Sequence, residues 1–241
     1  MIYIIVGPTG CGKSEVAHQL SDFLNNAKII NADAFQVYEG MNIGTAKVQK
    51  DSKYYSRYKL VDIVSPEQTY SIYDYQKDFR KLISLDEDCI VCGGSGLYIR
   101  SAIYDYQFDE NTNIDFSIYD EYSNEELYQK LLEIDAVSAE KIHPNNRKRV
   151  IRALLISSGS KNKSEIINEQ KHELIYPVDK VKILFLNPPR DKLYQMINEK
   201  VENRFKNGFI DECIKLRNNY SLSLTSYQAI GYKEVFDYLD K

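Results

Sequence analysis

Residues 1–20, MIYIIVGPTGCGKSEVAHQL, decide how the whole chain is read. The β-branched run at 2–6 predicts a central parallel strand. It stops at Gly7-Pro8-Thr9-Gly10-Cys11-Gly12-Lys13-Ser14, which fits G-x-x-x-x-G-K-[ST]. Behind it, Val16, Ala17, Leu20 and Leu24 recur at helical spacing. Strand, glycine turn and helix in that order form the context in which such a turn holds phosphate. Glycines let the backbone curl so that successive N–H groups point inward, and the helix N-terminus adds partial positive charge. Lys13 then reaches the outer phosphates, and the Ser14 hydroxyl ligates Mg2+. The expected ligand is a di- or triphosphate. The turn by itself does not separate a nucleotide from another diphosphate.

Working outward, AKIINAD (27–33) reads as a second strand ending at Asp33, and KLVDIV (59–64) as a third. Residues 73–85 read as a helix. CIVC (89–92) reads as a buried strand meeting a glycine turn, with a helix from Leu97. KVKILFLN (180–187) is again strand-like, and helices fit 124–134, 145–157, 190–206, 209–218 and 226–239. Strands alternating with helices predict an α/β fold, a P-loop NTPase-like parallel sheet flanked by helices. The character changes near Phe108, where 109–126 is polar and acidic, and 160–173 is densely charged. The expected organisation is a core domain, 1–108 and 176–241, interrupted by a mostly helical insertion at 109–175.

The chain has 241 residues and a formal charge of −4, so any nucleic-acid site must be a local basic patch. Lys141, Arg147, Lys148, Arg149 and Arg152 supply such a patch, with no acid among them. It reads either as a solvated helix face or as a phosphate contact. No apolar stretch approaches the roughly 20 residues of a membrane span, and nothing before the first strand reads as a signal peptide. A cytoplasmic, reduced, monomeric protein is expected. Cys89 and Cys92 form a C-x-x-C inside a strand, with no second pair for zinc, and read as structural. His18, His143 and His172 are too scattered in sequence to suggest a metal site. Asp33 stands where the carboxyl ends of strands line the ligand crevice of an open sheet. It reads as a helix cap, a Mg2+ partner or a general base.

Five stretches occur in order: GPTGCGKS (7–14), DAFQVYEGMNIGTAK (33–47), GGSGLYIRSAI (93–103), HPNNRKRVIRALL (143–155) and SYQAIGYKEV (226–235). Together they resemble the tRNA dimethylallyltransferase family over nearly the whole chain. The resemblance implies dimethylallyl diphosphate as donor and a tRNA anticodon stem-loop as acceptor, with Mg2+. The acceptor atom is the exocyclic amine of the adenosine 3′ of the anticodon. It implies that residues 7–14, with Thr9 beside the leaving group, and Ser95 hold the diphosphate. Asp33 takes the amine proton, with Lys13 and Lys200 as the other catalytic groups. Gln36 reads the base, and Lys47, Arg149 and Arg152 contact tRNA. The sequence departs from the family at Ala34, where serine is usual, and at Met196 and Lys200, where arginines are usual. Arg204 lies one helical turn beyond Lys200 on the same face. The lysine- and arginine-rich, tryptophan-containing helix common in the family is not found before Lys241. Three other readings stay open. They are a small-molecule P-loop kinase with an arginine lid, a prenyltransferase for free adenine nucleotides, and a family member that binds without turnover.

Overall fold

The computed structural model describes residues 1–106, 108, 117–157, 162, 164–165 and 173–241. By backbone proximity the chain divides into two units, Met1–Tyr104 with Leu174–Lys241, and Asp105–Glu173. The first unit closes at its chain exit through an antiparallel bridge between Tyr104 and Leu174.

The first unit is built on five parallel strands: β1 (Ile2–Val6), β2 (Lys28–Asn31), β3 (Tyr58–Lys59), β4 (Cys89–Cys92) and β5 (Val181–Phe185). Their order is β3-β2-β4-β1-β5. β1 and β4 are central, and Ile2, Ile4, Ile5, Ile90 and Val91 are fully buried, as apolar runs in a doubly covered parallel sheet should be. The thiols of Cys89 and Cys92 lie in β4, where burial pushes them up to about 11 and about 12, so both stay protonated. The third strand is shorter than 59–64. Leu60 (φ 61°) and Asp62 (φ 53°) take left-handed backbone, which ends the ladder after Lys59.

Helix α1 (Lys13–Phe23) follows the glycine turn, and α2 (Ile72–Leu82) opens on a capping box between Ser71 and Asp74. Helix α3 (Gly96–Ile103) leaves β4 through the 93–95 turn. Gly93 is obligatory there, because a Cβ would stand 2.1 Å from the Ala32 carbonyl carbon.

The second unit holds α4 (Asn124–Ile134), α5 (Ala136–Glu140) and α6 (Arg147–Ser157) around Leu127, Leu131, Ala139, Ile142, Val150, Ile151 and Leu154. Asp135 caps α5 through the Ser138 amide and accepts from the Ser164 amide. Burial pushes its carboxyl up, but those hydrogen bonds outweigh it and hold the pKa at about 2. The polar stretch 109–126 falls within the described residues only from 117, and most of 160–173, with His172, lies outside them.

The first unit resumes with α7 (Arg190–Lys206), α8 (Phe209–Asn219), α9 (Leu224–Tyr227) and α10 (Tyr232–Leu239). The expected single helix over 226–239 is therefore two, parted at Gly231 with φ 90°.

Candidate active site

The glycine turn, the ends of β2 and β4, and one face of α7 enclose a crevice of about 370 Å3. It lies at the carboxyl edge of the sheet, where open α/β folds place ligands. Thr9, Gly10, Gly12, Lys13 and Ser14 line it from the turn, and Asp33 and Gln36 from the segment after β2. A larger hollow of about 540 Å3 lies beside α2, but its charged groups are Asp74, Asp78 and Lys81, a poor match for a polyanion.

The turn has the shape its glycines allow. Gly10 and Gly12 take φ of 88° and 90°. A Cβ on Gly10 would meet Ile197 of α7 at 2.8 Å. The Lys13 ammonium donates to the Gly7 and Pro8 carbonyls, at 3.0 and 2.9 Å. Gly7, Pro8 and Cys11 shape the turn without lining the crevice.

Asp33 serves its own loop as well as the crevice. Its Oδ1 accepts from the Phe35 amide at 2.9 Å, and its own amide donates to Asn31 Oδ1. The other carboxylate oxygen is not used in that turn. Gln36 donates its amide nitrogen to the Thr45 carbonyl at 3.0 Å.

From α7, Ile197, Lys200, Val201 and Arg204 line the opposite wall, the i, i+3, i+4, i+7 pattern of one helix face. Lys200 donates to the Gly10 carbonyl at 2.9 Å. Desolvation first, then the charges of Lys13 and Arg204, pull its pKa below the ordinary lysine value, while Cys11 pushes the other way. The Arg204 Nε is buried with no hydrogen-bond partner. A buried donor without an acceptor is costly, and a crevice lined by such a donor and two lysines fits an anion.

Four more expected site residues do not line the crevice. Lys47 is only 4% exposed, and its ammonium donates to Asp62 Oδ1 and to the Tyr38 carbonyl, each at 2.5 Å. Burial and an ion pair thus already occupy the charge that the resemblance assigns to tRNA. Ser95 caps α3 by accepting from the Tyr98 amide and borders the crevice through its neighbours Gly93 and Gly94. Arg149 and Arg152 are exposed on α6 in the second unit. Arg147 of the same basic run is committed to the Tyr119 and Tyr122 carbonyls.

Sequence reasoning missed Tyr58, Thr45 and His18, which also line the crevice. His18 stacks on Tyr54 with centroids 3.9 Å apart, and its Nε2 is 3.0 Å from the Tyr58 hydroxyl. The only signal was helical spacing, since His18 lies one turn beyond Ser14.

Fold and crevice together define a P-loop-like α/β protein with a cation-lined crevice at the carboxyl edge of a parallel sheet. A family model described as IPP transferase matches residues 36–241. The chain is 39% identical to a tRNA dimethylallyltransferase of Anoxybacillus flavithermus and 37% identical to that of Bacillus subtilis, covering 99% of this chain and 78% of each relative. Among solved structures it is similar to the full-length tRNA isopentenylpyrophosphate transferase of Bacillus halodurans. There the TM-score is 0.67 at 33% identity, over 99% of this chain and 77% of that one. It also matches a eukaryotic dimethylallyltransferase acting on tRNA, with TM-score 0.83 at 26% identity, over 99% and 63% of the two chains. The chain belongs to the IPP transferase family.

Proposed function

We propose that the chain transfers a dimethylallyl group from dimethylallyl diphosphate to N6 of the adenosine 3′-adjacent to the anticodon of a tRNA. One observation carries the reading. A carboxylate, Asp33, and a cluster of anion-binding groups, Lys13, Lys200 and Arg204, line a single crevice.

The chemistry needs both. As the allylic C–O bond breaks, negative charge grows on the departing diphosphate. Lys13 and Lys200 line the crevice in which that charge would grow, and stabilising it there lowers the barrier more than it tightens ground-state binding. Thr9 adds a hydroxyl beside the same group. Adenine's amine is a poor nucleophile until its proton has an acceptor, and the Asp33 oxygen not engaged by the Phe35 amide takes that role. Gln36 offers its amide oxygen to the base. The Ser14 hydroxyl on the crevice lining fits a hard cation that takes most of its ligands from phosphate and water. When bound, Mg2+ would neutralise the diphosphate, with Ser14 as its protein ligand. Arg149 and Arg152 would meet RNA phosphates, which a rise in salt should weaken.

The test uses Mg2+, labelled donor and unmodified tRNA, with nucleoside mass spectrometry of the product and AMP as a parallel acceptor. Prenylated adenosine in tRNA supports the reading. Product on AMP alone, or on neither, overturns it.

A further inference from the structure

The last motif of the resemblance, SYQAIGYKEV at 226–235, touches none of the reacting groups, yet the structure gives it work at a distance. Three consecutive amides of the segment after β2 converge on one carboxylate. Asn42 donates to Glu212 of α8 at 3.0 Å, Ile43 to both its oxygens at 2.9 and 3.0 Å, and Gly44 at 3.2 Å. The Tyr232 hydroxyl of α10 donates to Glu212 Oε1 at 2.6 Å and accepts from the Gly44 amide at 3.1 Å. Tyr232 is fully buried. Burial first, then the Glu212 charge, hold its phenol far above the ordinary value, so it remains a donor. Gly44 fits against the rings of Phe209 and Tyr232 with no room for a side chain, since a Cβ would stand 2.3 Å from both.

Glu212 stands in the first turn of α8, where an acidic residue ordinarily just complements the helix dipole. Here its oxygens serve a segment about 170 positions away in sequence. The next residue, Thr45, presents the carbonyl that accepts from Gln36. A carbonyl accepts only from the NH2 end of an amide, so this bond fixes which way the Gln36 amide is turned. It leaves the Gln36 oxygen as the acceptor available to a base.

We propose that Glu212 and Tyr232 are positioning residues for the acceptor base: by holding the Asn42–Gly44 amides they set the Thr45 carbonyl, and through it the orientation of Gln36. An adenine edge that presents an N–H is then met by an acceptor, and an edge that presents a carbonyl is met by repulsion. The proposal rests on the prenyltransferase reading above. The P-loop lies outside this chain of contacts, so the donor site should be indifferent to it.

The test is a double-mutant cycle of Glu212→Gln with Gln36→Ala, repeated with the milder Tyr232→Phe, which leaves all three amides on Glu212. The readouts are kcat and KM for tRNA, donor affinity, and amide hydrogen exchange over 42–46. Glu212→Gln should lower kcat/KM for tRNA roughly tenfold, within the range for residues sharing one hydrogen-bond network, with donor affinity unchanged within about twofold. In the Gln36→Ala background the same change should cost less than about twofold. Exchange over 42–46 should quicken in both backgrounds. An equal loss without Gln36, a parallel loss of donor affinity, or unchanged exchange would overturn the proposal. If the unaltered chain makes no product on tRNA, the base-positioning role falls with the reading of the site. The exchange arm then still reports whether Glu212 holds the loop.

Discussion

The two walls of the crevice are anchored very differently. The wall formed by the glycine turn and the ends of β2 and β4 rests on the core. Ile4, Ile5, Ala17, Ile30 and Val91 behind it are fully buried, and the segment after β2 is tied by the Lys47–Asp62 pair and by Glu212. The α7 wall has no such backing. None of its 17 residues is buried, no side chain caps its start, and on the neighbouring edge strand Ile183 and Phe185 are 59% and 65% exposed. Its ties to the turn are the Lys200 bond to Gly10 and the packing of Ile197 beneath it. One wall is therefore held by the interior, while the other brings its cations on a helix with few buried contacts. Segments of that kind open at lower free-energy cost than core strands. On the proposed function, this would be a division of labour, with the residues for the base on the rigid side and part of the charge for the leaving group on the yielding side.

The largest effect should come from the rigid wall. Asp33→Asn keeps an oxygen for the Phe35 amide but loses the proton acceptor. It should lower kcat by roughly 10²–10⁴ with donor binding retained, read by product formation and donor titration. Loss of donor binding instead would show that Asp33 holds the diphosphate side. Next, Lys47→Met leaves Asp62 without its buried partner. Denaturant unfolding should register a loss of about 3–5 kcal/mol, because one half of a buried pair is left uncompensated. A near-neutral result would mean that this wall is less fixed than its contacts say. On the yielding wall, Lys200→Ala should weaken diphosphate affinity by about tenfold or more, the scale of one charged hydrogen bond. Lys200→Arg should restore most of it. Hydrogen exchange should then show α7 amides exchanging well before those of β1 and β4, with donor analogue slowing α7 most; equal protection would erase the comparison. The smallest effect is a pH slope. Burial, the largest cause, lowers the His18 pKa below its ordinary 6.5, so the unfolded chain takes up that proton first as pH falls. Stability from this group is present above 6.5 and is lost as pH falls through the lower native value. His18→Asn should flatten thermal-unfolding midpoints across that window and change little above it.

Much of this was legible beforehand, for identifiable reasons. The α/β class, the turn and α1 follow from apolar periodicity and from glycines that only one backbone shape requires. The ends of α4 and α7 fall where they were expected, because the apolar spacing stops cleanly there. What stayed hidden depends on tertiary context. A left-handed leucine and aspartate cut β3 short, and Gly231 breaks the final helix, neither of which periodicity registers. The pairing of Lys47 with Asp62 was hidden because only the fold brings the two together. The Glu212 contacts join positions remote in sequence, so no local pattern announces them. The crevice-facing side of α7 was half legible. Lys200 and Arg204 share a helical face, but only the structure shows that face turned toward Gly10.

The Lys13 ammonium, bonded to the carbonyls of Gly7 and Pro8, has a consequence for what the crevice accepts. If Lys13 meets an anion, that contact competes with these two backbone bonds. An incoming anion must outcompete two backbone oxygens for the same cation. On the proposed reading, a diphosphate would offer Lys13 more charge than the two carbonyl oxygens it now meets, and a small singly charged anion less.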